Sequence, residues 1–185
     1  MKMNKMVLAM VMASGISAFG AMAADPVVDP VKATDQGSGN ITFTGSIIDA
    51  PCSITPESSN QTVDLGQVSN SLLAKAGTST PRNFTIDLEK CDTTTKQNVV
   101  ITFGGSKDAE NDKLLGITGT AKGAGIALTD GSGTQITLGV PSAARGLLAG
   151  NNKLNFSAYL QGNKADGSVT PGEFSSVANF TLTYP

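Results

Sequence analysis

The chain has 185 residues, enough for one domain or at most two small ones. Its 13 Lys/Arg and 15 Asp/Glu give a net charge of −2, without the concentrated basic surface that a nucleic-acid binder needs to release counterions from phosphate. It holds no His and no Trp, which excludes Ser-His-Asp and Cys-His nucleophile sites and any His-ligated zinc or iron. Charged residues are only 15% against a norm of about 25%, and 21 positions are Gly, a composition that points to a turn-rich all-β protein.

The first two dozen residues read as an export address. Lys2 and Lys5 precede an uncharged run from Met6, and Ala21-Met22-Ala23 has the small-x-small form of a signal-peptidase site. A membrane span is the competing reading, but Ser14, Gly15, Ser17 and Gly20 interrupt the run and no positive stop follows Ala24. Residues 1–23 are therefore expected to be a signal peptide, cleaved after Ala23 or Ala24, and loss of two Lys moves the net charge from −2 to −4. No second long apolar run follows, so no stable membrane insertion is expected.

Residues 24–39, with two prolines and no hydrophobic period, read as a flexible tail. Short β segments follow, at Asn40–Asp49, Thr62–Leu65, Asn83–Leu88, Asn98–Phe103, Leu114–Thr118, Gly125–Thr129, Gln135–Leu138, Lys153–Gln161 and Phe174–Tyr184. Asp130-Gly131-Ser132-Gly133 signals a tight turn, and only Ser71–Ala76 has a helical look. Frequent short strands without a long amphipathic helix predict a β-sandwich of immunoglobulin-like type. Cys52 and Cys91, the only cysteines, are 39 positions apart in an exported chain. A structural disulfide is the reading preferred over a redox pair, because no C-x-x-C spacing and no activating His is present. Such a bridge contributes roughly 4 kcal/mol in the loop-entropy view.

Two segments stand out. In the last, Phe174, Ser176, Ala178, Phe180, Leu182 and Tyr184 share one face of a strand that ends one residue before the chain does. In the first, Gly39, Ile41, Phe43, Gly45 and Ile47 share a face, and two glycines there are odd for a core strand. Pattern alone leaves two readings open: a strand that slides closely past another backbone, or an ordinary first strand with glycines at a bulge.

The remaining local patterns carry little chemistry. The acids of Asp108–Asp112 lack the Gly and Glu that a calcium loop needs at its sixth and twelfth positions, which are Lys113 and Gly119. The glycines of 119–125 fit neither phosphate-loop nor dinucleotide spacing, and the Asn-x-Ser/Thr triplets at Asn40, Asn60, Asn83, Asn155 and Asn179 are what chance gives in so Ser/Thr-rich a chain. No catalytic residue, metal site or cofactor is expected.

The run Gly45-Ser46-Ile47-Ile48-Asp49-Ala50-Pro51-Cys52-Ser53-Ile54 resembles the start of the chaperone–usher pilins of Gram-negative bacteria. So do Cys91-Asp92, Gly125–Leu128 and Leu154–Tyr159, together with a Gly fourteen residues from the end (Gly172) and a penultimate aromatic (Tyr184). The likeness spans about residues 36–185 and is greatest to major subunits of P-pilus or mannose-resistant fimbriae. Pro185 and the long 24–35 tail depart from the family pattern.

The resemblance implies an immunoglobulin-like sandwich lacking its last strand, with residues 48–185 as the pilin domain and 24–47 as an N-terminal extension. It implies that Gly39, Ile41, Phe43, Gly45 and Ile47 form a donor strand for another copy. It also implies that Gly172, Phe174, Ala178, Phe180, Leu182, Tyr184 and Pro185 border the acceptor groove and meet the chaperone. The partners it implies are a periplasmic chaperone, an outer-membrane usher, and copies of itself or sister pilins, assembled into a surface fimbria that supports cell adhesion. The alternative is a monomeric exported carbohydrate-binding or adhesin module with a complete sandwich; a small periplasmic enzyme has no support beyond export and size.

Overall fold

A computed structural model describes residues 37–164 and 167–185. The expected signal peptide and most of the tail lie outside the described residues. The chain divides into two units, Met1–Gly45 and Ser46–Pro185. Of the first, residues 37–45 are described, and they form no helix or strand.

The second unit is a β-sandwich. After the short β1 (Ser53–Ile54) come a one-turn helix α1 (Pro56–Ser59), a second turn α2 (Asn70–Leu73) and a 3-10 turn at Ala74–Ala76. The strands then follow as β2 (Arg82–Cys91), β3 (Asn98–Gly105), β4 (Leu115–Gly116), β5 (Thr118–Gly119), β6 (Ala124–Asp130), β7 (Arg145–Gly146), β8 (Gly150–Gly162), β9 (Phe174–Ser175) and β10 (Ala178–Thr183). One sheet has the order β1-β2-β8-β6-β4, another β10-β3-β7, and β5 pairs with β9. All pairings are antiparallel. The all-β, immunoglobulin-like expectation is therefore met.

The core follows from period-2 alternation. Ile86 and Leu88 of β2, Leu154, Phe156, Ala158 and Leu160 of β8, and Val99, Ile101 and Phe103 of β3 all turn inward and are buried. Phe156 sits at the centre, with ring centroids 5.6 Å from Phe84 and 5.1 Å from Phe103. Such contacts add about 0.5–1.5 kcal/mol each beyond the area they bury. At the edge of this cluster the Arg145 guanidinium lies 5.3 Å from the Phe156 ring centroid and 3.8 Å from the Asp130 carboxylate. The chain thus turns this edge charge inward, over the core.

Several predicted segments differ from the structure. Asn40–Asp49 and Thr62–Leu65 form no strand, since neither has a neighbour to bond with among the described residues. Gln135–Leu138 makes one bridge, Thr129 to Gln135, and then leaves the sheet. Ile136 and Leu138 are buried as the chain crosses to β3, where the Gly139 N–H donates to the Phe103 carbonyl at 2.7 Å. Leu114–Thr118 divides into β4 and the start of β5, and Phe174–Tyr184 is two strands, β9 and β10. The Asp130–Gly133 turn is present: the Asp130 carboxylate accepts the N–H groups of Ser132 and Thr134, each at 2.9 Å, and Gly133 takes φ +85°. Helix α1 was not predicted, although its signal stands in the sequence: Thr55 caps it and Pro56 opens it.

Candidate functional site

The disulfide joins Cys52 to Cys91 as expected, and both residues are buried. The Asp92 N–H donates to the Pro51 carbonyl at 2.9 Å, so two adjacent links fix residues 51–52 to the end of β2. Just before Cys91, β2 bulges against β8, and Lys90 there takes φ +53°.

β10 is the outermost strand of its sheet. It pairs with β3 from Ala178–Gly105 through Thr183–Val100, and no described strand pairs with its other edge. Its inward residues Phe180 and Leu182, with Tyr184 beyond it and Phe174 of β9, pack against the core yet stay only half-buried. The Phe180 ring centroid is 6.3 Å from that of Phe103. Burial pushes the Tyr184 phenol above its ordinary pKa. Segment 62–68, which forms no helix or strand, lines one cavity together with Phe174. Leu65 and Val68 are half-buried against the same core, and no backbone–backbone hydrogen bond joins 62–68 to another strand among the described residues.

A groove opens between 62–68 and 169–176, a cavity of about 770 Å³ floored by the core residues Leu73, Ala124, Ile126 and Leu160. A separate cavity of about 530 Å³ lies among Asp49–Pro51, Asp92 and Leu182–Tyr184, by the end of β10. A half-covered apolar face and an unpaired sheet edge thus occur together, and both are costs that isolated domains usually avoid.

The residues expected to border the groove are not all placed alike. Phe174 lines the larger cavity and Leu182 and Tyr184 the smaller, Phe180 is half-buried against the core, and Ala178 is exposed at the start of β10. The chain breaks at Ser176–Val177 because it switches sheets there: β9 pairs with β5, β10 with β3, and the Ser176 hydroxyl donates to the Gly116 carbonyl at 2.6 Å. Gly172 lies in the loop before β9, lining the larger cavity. A Cβ there would sit 2.6 Å from the Ala121 backbone nitrogen and closer still to the Thr120 hydroxyl, so glycine is required by the approach of residues 120–121. The loop is held by Glu173, whose carbonyl accepts the N–H groups of Thr120 at 3.0 Å and Ala121 at 3.1 Å.

Ile41 and Phe43 are 79% and 88% exposed, and Ile47 is fully so. Gly39 and Gly45 lie in the same segment, which forms no helix or strand. Sequence reasoning missed the 62–68 wall as a groove element, because its strand-like alternation carries no sign that its partner lies elsewhere. Among the described residues no cluster of His, Cys, Asp or Glu could hold a metal ion, and no helix is long and apolar enough to cross a membrane.

Comparison with known proteins decides the family. The family described as "Fimbrial protein" matches residues 41–185. The chain belongs to the fimbrial protein family. The fimbria A protein of Serratia marcescens is 52% identical over 184 residues, covering 100% of this chain and 99% of that protein. The major MR/P fimbria protein of Proteus mirabilis is 50% identical over 185 residues, covering 100% of this chain and 99% of that protein. Among solved structures, a subunit of a chaperone–usher pilus superposes with a TM-score of 0.71 at 34% identity, covering 82% of this chain and 98% of that one. The expected resemblance and the immunoglobulin-like fold are both met, and this chain is a structural fimbrial subunit.

Proposed function

We propose that this fimbrial subunit polymerises head to tail, with Gly39, Ile41, Phe43, Gly45 and Ile47 of one copy filling the groove of another as a donor strand. The observation that carries the reading is the pairing of two shortages in one chain. The groove has an unpaired strand edge over a half-covered apolar face, and the N-terminal segment has exposed apolar side chains at alternate positions and no sheet to join. Adding a strand between β10 and 62–68 satisfies both at once. Each large side chain contributes about 1.5–3 kcal/mol when fully buried. Each ladder hydrogen bond adds about 1 kcal/mol. Because the donor and acceptor surfaces differ, the contact does not close on itself and yields a filament.

On this reading residues 1–23 are removed on export, 24–47 form the extension, and 48–185 form the pilin domain. A periplasmic chaperone covers the groove first, along Phe174, Phe180, Leu182 and Tyr184, with the Pro185 carboxylate as its anchor point. An outer-membrane usher then exchanges the chaperone's strand for the extension of another copy or a sister pilin. The product is a surface fimbria that supports adhesion, and no catalytic residue takes part.

The test is the unfolding transition of residues 48–185, disulfide intact, with and without a peptide of residues 36–49. Weak stability alone and a large peptide-dependent rise in the midpoint are expected. A fragment that unfolds at the same midpoint in both conditions would mean that the sandwich needs no added strand, and the donor assignment would fall.

A further inference from the structure

The chain leaves the edge of β2 abruptly, just ahead of the wall segment 62–68. β1 pairs Ser53 with Glu89 and Ile54 with Leu88, and the Thr55 N–H carries the ladder on to the Asp87 carbonyl at 3.1 Å. In an antiparallel ladder this register would next return the Asp87 N–H to the Thr55 carbonyl and then join the Glu57 N–H to the Thr85 carbonyl. Neither bond forms. Pro56 opens the helical turn α1, and the Thr55 carbonyl accepts the N–H groups of Ser58 and Ser59 instead, each at 3.0 Å. Two side chains take the vacated places. The Asp87 N–H donates to the Ser58 hydroxyl at 2.9 Å, and the Gln61 amide donates to the Thr85 carbonyl at 3.1 Å. Ser58 is buried, and Gln61 is exposed.

We propose that α1 is a diverter built into the acceptor side, and that Ser58 and Gln61 are positioning residues for strand addition. Their side chains replace the ladder bonds that β2 loses, so that 62–68 keeps its own backbone groups for an incoming strand and holds one register. The inference rests on the donor-strand reading. Its first support is the bookkeeping at β2: both bonds given up by the backbone are made good by a side chain, so that the edge stays closed to a stray strand. The second is the slack that α1 takes up. Gln61 stands at the carbonyl that Glu57 would have reached, so the turn stores four residues and moves the wall along the sheet by that amount. The third is the wall itself. Among the described residues 62–68 makes no backbone–backbone hydrogen bond, Gln61 is the last residue before it bonded to a strand, and the next point buried in the core is Leu73. Val63 and Leu65 are half-buried while Asp64 between them is exposed, and a slip of one residue would exchange those faces. The Gln61 bond therefore fixes which side chains the wall presents when a strand arrives.

Loss of the buried Ser58 hydroxyl would weaken the domain itself, so the exposed Gln61 carries the test. Filaments of the wild-type chain are compared with those of Gln61→Glu, which keeps the size but cannot donate, Gln61→Lys, which still donates, and Asn60→Asp, which adds the same charge one residue earlier. Two quantities are read: the rate at which detergent-resistant multimers decay to monomer at a fixed raised temperature, and the urea midpoint of the separated monomer. The inference expects Gln61→Glu to hasten the decay roughly tenfold, about the size of one lost hydrogen bond, with the monomer midpoint unmoved. Gln61→Lys and Asn60→Asp should keep the wild-type rate. A wild-type rate for Gln61→Glu would overturn the inference while leaving donor-strand linkage standing. Equal hastening by Gln61→Lys or Asn60→Asp would overturn it as well, and so would a fall in the monomer midpoint large enough to account for the faster decay. Wild-type filaments that yield no detergent-resistant multimers would instead overturn the linkage, and the diverter with it.

Discussion

Phe156 and Phe180 are the same residue type in the same aromatic cluster, yet they live in different circumstances. Phe156 stands on β8, which is hydrogen-bonded on both sides and roofed by the opposite sheet, and it is 2% exposed. Phe180 stands on β10, bonded on one side only, and is half-buried beside an open groove. The sandwich is therefore finished at its centre and unfinished along one seam. The contrast teaches that the burial of a side chain is set as much by the neighbour its strand has as by the side chain itself.

The largest expected effect breaks this comparison at its finished end. Phe156→Ala should cost about 3–5 kcal/mol of unfolding free energy whether or not the groove is filled, measured by urea denaturation. Phe180→Ala should cost distinctly less in the unfilled domain and approach the Phe156 value once the 36–49 peptide is bound. Equal costs in the two states would show that the groove side chains gain nothing from the added strand. Next in size is Gly172→Ala, which sets a methyl group against the Ala121 backbone and should cost about 1–3 kcal/mol in the same assay. A smaller effect of opposite sign comes from Ala76, held at φ +59° next to Lys75 at φ +56°. Ala76→Gly should raise stability by about 1 kcal/mol by relieving the left-handed strain.

The smallest effect sharpens the seam itself. The folded chain holds the Tyr184 phenol above its ordinary value of 10.0 through burial. In the unfolded chain the phenol ionises first, so its contribution is intact below pH 10.0 and is lost as pH rises through the folded value. Ultraviolet titration should show the raised transition, and covering the groove with the peptide should move it further upward.

Much of this was legible in the residues, for reasons that can be named. The inward alternation of β2, β3 and β8 is dense enough that period 2 locates these strands directly, and the paired cysteines follow from their export context. What escaped depends on partners. Val63 and Leu65 alternate as a strand should, but a strand exists only where a neighbour accepts its hydrogen bonds, and 62–68 has none among the described residues. The break at Ser176–Val177 was invisible because Ser176 keeps the alternation going; only the switch from β5 to β3 as partner divides the run. The pairing of Arg145 with Asp130 and Phe156 joins residues remote in sequence, and no local spacing announces it.

The bridge between Cys52 and Cys91 has a mechanical consequence. In a filament linked through its extensions, tension enters the domain just ahead of Asp49 and reaches Cys52 within a few residues. From there a covalent bond carries it to the end of β2, and the short chain beyond leads into β3, whose hydrogen bonds hold β10 beside the groove. The residues between the two cysteines are thereby removed from the line of pull. The two residues of β1 and the single turn of α1, which would otherwise be first to peel away, bear no load. A domain left open along one seam for the sake of its neighbour is thus strung on a short, stiff path, and a fibre of such domains should lengthen under force at the joints between subunits before it lengthens within them.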